Sequence, residues 1–170
     1  MRLLFELDRK DYSDCTTVFV RDSARSIILR DGKIAMIHSL KYDYFKFPGG
    51  GIKEGESPVD AMIRETREES GLVVDPNSVR EYGYVHRIQK SDINPHECFI
   101  QDNYYYLCDA YECMSSQQLD EYEAEEGYVL EYTAPKTAIK KNTASDISRY
   151  KIILEREARV IEPLISENIV

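Results

Sequence analysis

Apolar residues recur along this chain in two rhythms. Over most of its length they alternate with polar ones or gather in short runs bounded by Gly, Pro, Asn and Asp, the pattern of strands. Leu3 to Leu7, Thr16 to Val20, Tyr44 to Pro48, Glu81 to Ile88, Asn103 to Ala110 and Gly127 to Tyr132 read as strands on this basis. Ser26-Ile-Ile-Leu-Arg and Lys33-Ile-Ala-Met-Ile flank Asp31-Gly32, which predicts a hairpin closed by a two-residue turn. The polar stretch Gln89 to Glu97, with Asn94-Pro95 inside it, reads as a loop.

Helical spacing takes over in three places. From Pro58 to Ser70 the signals at both ends agree: Ser57 is a good N-cap, Pro58 suits the first helical position, and Gly71 suits a left-handed residue that ends a helix. At about 100° per residue, Val59, Met62, Ile63 and Thr66 share one stripe and Glu65, Glu68 and Glu69 the neighbouring one. A second helix is expected from Ala134-Pro135 to about Lys141, capped by Thr133. A last one is capped by Ser145 or Asp146 and carries Ile147, Tyr150, Ile153, Leu154, Glu157, Val160 and Ile161 at mostly helical spacing. Strands around one central helix, with helices at the end, suggest an α/β sandwich.

Composition fits a single domain over residues 1–170: 42% of the residues are hydrophobic and 31% charged, enough for a sizeable core. The net charge of −9 argues against nucleic acid held on a basic surface, so an anionic partner has to be recruited by metal and local arginines. No stretch approaches membrane-spanning length, and Met-Arg-Leu-Leu-Phe-Glu is too short an apolar run for a signal peptide. Cys15, Cys98, Cys108 and Cys113 show no CxxC spacing, so free thiols, a cytoplasmic location and no zinc site are expected, with Cys108 in a core strand. His38, His86 and His96 are scattered, and nothing orients them toward a nucleophile. Assembly as a homodimer is left open.

The chemistry concentrates on the helix after the glycines. Carboxylates at i, i+3 and i+4 repel one another, and although an isolated acidic stripe is commonly just a solvated face, three hard oxygen ligands at this density suit Mg²⁺ or Mn²⁺. Arg64 stands four residues before Glu68 and can brace it. Gly50, Glu56, Arg64, Glu65, Glu68, Glu69 and Gly71 line up as Gx5Ex7REUxEExGU, which resembles the signature of the Nudix hydrolases. Seven such positions match by chance with odds on the order of one in a million. The one departure is Thr66 at the apolar position, whose methyl can still pack. Phe47-Pro48-Gly49-Gly50 and the strands from Arg25 to Ser39 and Tyr44 to Pro48 are similar to what precedes the box in that family.

The resemblance implies the Nudix α/β/α sandwich with a mixed sheet. It also implies hydrolysis of a nucleoside diphosphate linked to another group X, with Arg64, Glu65, Glu68 and Glu69 as catalytic residues and the carbonyl of Gly49 joining the three glutamates on the metal. An acid from outside the box is often added, for which Glu121, Glu123, Glu125 and Glu126 are candidates, although a solvated loop or helix is the more natural reading of that stretch. Arg25, Arg87 and Lys90 are candidate phosphate contacts; Tyr44, with Tyr42 and Phe45, is a candidate wall for a base, or simply core. A nucleotide-binding sensor that lost turnover is the alternative from another class, and the intact set of charged box residues weighs against it.

Overall fold

The computed structural model describes all 170 residues, Met1–Val170. The larger sheet runs in the order β1 (Leu3–Asp8), β9 (Arg80–Lys90), β10 (Glu97–Leu107), β3 (Ser23–Ile27) and β7 (Gly49–Gly51), with β2 (Thr17–Val20) also on β10. It is mixed: β1 lies parallel to β9, and β2 and β3 parallel to β10, while β9–β10 and β3–β7 are antiparallel. A second sheet is ordered β12 (Tyr128–Thr133), β5 (Lys33–Ser39) and β4 (Leu29–Arg30), with β6 (Tyr44–Lys46) also on β5; β8 (Leu72–Val74) and β11 (Ala110–Met114) make a separate ribbon.

Helices cover both faces. On one face α1 (Pro58–Ser70) packs on β3, β7 and β8; on the other α3 (Pro135–Ala144) and α4 (Lys151–Ser166) pack on each other and on β6, with α4 reaching β1. Alternation along the shared strands explains why both faces are apolar. Ala24, Ile28, Ala35 and Tyr106 turn toward α1 with Ala61 and Met62, whereas Ile27, Ile34, Met36 and Tyr105 turn toward Ile152, Val160 and Ile161 of α4. The α/β sandwich with a mixed sheet is thus the observed fold.

The hairpin forms with Leu29 opposite Ile34 and Arg30 opposite Lys33, and its turn residues Asp31 and Gly32 have φ of 52° and 68°, the left-handed pair such a turn needs. The apolar run read as one strand from Ser26 divides at Ile28, however: β3 stays in the larger sheet and β4 crosses to the second. Helix α1 has the expected limits, with the Ser57 Oγ accepting from the Asp60 amide at 3.1 Å and Gly71 at φ 76°. Met62 and Thr66 are buried, and Val59 and Ile63 are half-buried beside them.

Four local expectations are corrected. Thr133 ends β12 opposite Ile34, and Ala134 precedes α3 without a side-chain cap. Neither Ser145 nor Asp146 caps α4; Ser148–Tyr150 form a 3-10 turn and the helix starts at Lys151, because the Tyr150 hydroxyl is drawn to Glu126. The loop after β9 is shorter than expected, since Gln89 and Lys90 stay in β9 and Glu97 opens β10, where Glu97–Ile100 pair with β2 and Cys98–Asp102 with β9. Cys108 is buried as expected but lies just after β10, and all four cysteines are free.

Candidate active site

Glycine backbone lets the acidic helix approach β7. Gly49, at φ 140°, donates its N–H to Glu69 Oε2 at 3.0 Å. The Glu65 carboxylate lies against the bare Cα of Gly50, where an added Cβ would stand 2.4 Å from Oε2. Gly50→Ala is therefore expected to push aside the flexible end of Glu65, with a stability change below about 1 kcal/mol and a clear loss of activity. Thermal melting beside turnover separates the two effects.

Arg64 ties the box together. Its Nε and Nη2 hold Glu56 as a fork at 2.7 and 2.8 Å, Nη1 donates to Glu65 at 2.6 Å and Glu68 at 3.0 Å, and Nη2 also reaches the Gly51 carbonyl. Those hydrogen bonds hold the Glu56 carboxyl well below its usual range, at about 2.

Glu65 and Glu69 open into one cavity of about 600 Å³ between the two sheets, with the three glycines of β7 in its wall. Glu68 does not line it; that side chain lies in a smaller depression with Arg67 and Gln118. Glu69 is buried, and burial pushes its carboxyl up to about 7 against the pull of Lys46, whose Nζ sits 2.5 Å from Oε1, and of the Gly49 amide. Across the cavity stands α2 (Glu121–Glu126), opened by a capping box on Asp120 and Glu123. Of the acids considered there, Glu123 faces the cavity, Glu126 is turned to Tyr44, Tyr150 and Arg149, and Glu121 and Glu125 are exposed.

As they stand, no three acidic or His and Cys side chains gather tightly enough to hold a metal. The donor set nonetheless fits a hard divalent cation: the wall offers carboxylate and carbonyl oxygens, and the Lys46 ammonium seated on Glu69 marks a position already occupied by positive charge.

Arg25, Arg87 and Tyr44 all line the cavity. Arg25 donates Nη1 to the carbonyls of Phe47 and Gly49, at 3.2 and 3.0 Å. The Gly49 oxygen keeps a second lone pair. The Tyr44 hydroxyl bonds Glu126 and Tyr128, each at 2.8 Å, so its polar end is engaged. Lys90 is elsewhere, paired with Asp14; Phe45 belongs to the core, and Tyr42 does not line the cavity. Sequence reasoning missed Lys46, Arg156 and the pair Phe19–Phe99, which also line it. Arg156-Glu157, a charged pair within the apolar stripe of the last helix, was the one available signal.

A model of the NUDIX domain matches residues 20–151. The chain belongs to the Nudix family. Known Nudix structures share the fold: a NUDIX hydrolase from Nitrosomonas europaea aligns with a TM-score of 0.58 at 16% identity, covering 81% of this chain and 87% of that one. A MutT NUDIX hydrolase from Burkholderia pseudomallei aligns at 0.51 and 20% identity, covering 81% and 97%. Among curated proteins, an RNA pyrophosphohydrolase of Hydrogenovibrio crunogenus is 40% identical over 57 residues, 34% of this chain and 33% of the relative. One from Xylella fastidiosa is 43% identical over 47 residues, 28% and 25%. The matches thus span a third or less of these relatives. No helix of this Nudix protein is long and apolar enough to cross a membrane.

Proposed function

We propose that this Nudix protein is a metal-dependent hydrolase that cleaves the pyrophosphate bond of a nucleoside diphosphate linked to another group X, within a single domain. The supporting observation is that Glu65 and Glu69 share one cavity with the buried arginines Arg25 and Arg87, so carboxylates that hold a cation and cations that hold phosphates face the same space. Glu65 and Glu69 with the Gly49 carbonyl would hold Mg²⁺ or Mn²⁺, and Glu68, which faces the neighbouring depression and shares Arg64 Nη1 with Glu65, would join them by rotating its side chain about the helix edge, with Arg64 fixing the carboxylates. When bound, the ion neutralises phosphoryl oxygens and lowers the pKa of its water. Glu65 accepts the proton of the attacking water: its Oε2 carries no hydrogen bond, whereas both oxygens of Glu123 are engaged, by the Asp120 amide and the Tyr122 hydroxyl. Arg25 and Arg87 steady the phosphates, and Tyr44 closes the wall beside them.

Attack falls on phosphorus, because the site offers cations for phosphoryl oxygens and no nucleophile tied to the box. The test is a panel of nucleoside diphosphate derivatives with Mg²⁺ or Mn²⁺ in heavy-oxygen water, read by chromatography and mass. It includes an RNA bearing a 5′ polyphosphate, since relatives carry the name RNA pyrophosphohydrolase. The expected result is label on a phosphate of one product from a small-molecule substrate, in keeping with the net charge of −9. Label only in a sugar hydroxyl overturns the mechanism. Nucleotide-dependent thermal stabilisation with no turnover of any member supports a sensor instead. The four free cysteines fit a reducing, cytoplasmic setting.

A further inference from the structure

Six cations border the cavity, and one of them differs from the rest. Arg25, Lys46, Arg149 and Arg156 each lie within 4.0 Å of a carboxylate, and Arg21 is exposed to water. Arg87 has neither: it is 8% exposed, no carboxylate comes within ion-pairing distance, and its single hydrogen bond runs from Nε to Gln89 Oε1 at 3.2 Å. Its Nη atoms carry no partner and are not sealed in the protein. Burial and the neighbouring Arg156 push its pKa down to about 10, with Asp92 at some distance pulling the other way. A buried charge without a counter-ion costs stability, so such groups persist where something outside the chain answers them.

The surroundings specify the ligand further. The guanidinium lies over the Phe99 ring, 5.0 Å from its centroid, and Phe19 continues that surface 6.0 Å from Phe99. Phe19 is 45% exposed, large for an aromatic side chain, and both rings line the cavity. A fork-shaped cation beside an open aromatic surface matches a phosphate joined to a flat ring. Tyr44, the wall residue nearer the box, is almost fully buried and leaves little ring face for stacking.

We propose that Arg87 together with Phe19 and Phe99 forms a nucleoside monophosphate subsite, separate from the box carboxylates and able to bind without metal. The base stacks on the two phenylalanines and its 5′-phosphate takes the free Nη atoms of Arg87. This rests on the hydrolase reading only in that a nucleoside monophosphate is one of that reaction's products. Stacking is tolerant of base identity, so the subsite places the nucleotide half of the substrate and leaves X toward Arg149 and Tyr150.

The test is calorimetric titration of the EDTA-treated protein with AMP, CMP and ribose 5-phosphate. Wild type is expected to bind both nucleotides about tenfold or more tighter than ribose 5-phosphate. Phe19→Ala, which leaves the Phe99 ring under the Arg87 guanidinium in place, removes most of that advantage and leaves ribose 5-phosphate binding nearly unchanged. Arg87→Met weakens all three ligands about tenfold or more while melting at or above the wild-type temperature, since it removes an uncompensated buried charge. Arg87→Lys, which keeps the charge and loses the fork, falls between. Equal binding of AMP and ribose 5-phosphate by wild type overturns the stacking surface. Wild-type affinities in Arg87→Met, or a fall of several degrees in its melting temperature, overturn the role of Arg87 and make it structural. Because no metal or turnover is involved, a panel with no hydrolysed member leaves this result standing, and the converse also holds.

Discussion

Glu69→Gln is expected to lower Mg²⁺-dependent turnover by roughly 100-fold or more, because it removes a full negative charge from the carboxylate set that faces the cavity. The substitution preserves shape, yet it is not silent for stability. Lys46 is itself buried, and Glu69 is its only ion-pair partner, so a neutral amide leaves the ammonium without a counter-charge. Removing one member of a buried pair typically costs about 3–5 kcal/mol. The loss here should be smaller, about 2–3 kcal/mol, since glutamine can still accept from the Gly49 amide and since burial already disfavours the ionised Glu69. That corresponds to a fall in melting temperature of about 5–10 °C. The double substitution Lys46→Met with Glu69→Gln should recover most of that stability and none of the activity. Glu54→Gln, in the exposed turn before the helix, should change neither. Wild-type turnover by Glu69→Gln at limiting metal overturns the assigned ligand set.

Glu157→Gln should be the more damaging change to the fold. Glu157 is fully buried on α4, accepts from both Nε and Nη2 of Arg156, and receives the Phe47 amide at 3.1 Å. An amide in its place leaves the Arg156 charge uncompensated and turns a donor toward another donor, at a cost of about 3–5 kcal/mol. A fall of about 10 °C in melting temperature follows for a chain of this size. Activity should fall as well even well below the new midpoint, because the Phe47 contact anchors the segment that delivers Gly49 and Gly50 to the box. Denaturant unfolding checks the first effect and turnover at low temperature the second. A loss of less than about 1 kcal/mol overturns the view that Glu157 holds Arg156 and the Phe47 amide in place.

The two faces of the first helix were legible because their causes are local. Ser57, Pro58 and Gly71 act on the backbone within a turn of themselves, and the angular separation of Met62 and Thr66 from Glu65 and Glu69 follows from helix geometry alone. The turn at Asp31-Gly32 was legible for the same reason. Glu97–Asp102 were not, since a strand carrying Gln101 and Asp102 lacks an apolar rhythm and is held by pairing with β9 and β2. The start of α4 was also out of reach, because what delays it is a contact between Tyr150 and Glu126, distant in the chain.

The site divides along the same line. By itself the sequence determined the family box and the helix that carries it, both written in short-range spacing, and marked an acid-rich segment downstream without deciding whether any of its residues faces the site. Only the tertiary structure decided that Glu123 of that segment faces the cavity and that Glu68 turns away from the space shared by Glu65 and Glu69. It also seated Lys46 on Glu69 and left Arg87 without a carboxylate. Those outcomes depend on which side chains from β2, β6, β9, β10 and α4 converge on one space, and on how burial alters the cost of each charge there; neither is a property of neighbours in the chain.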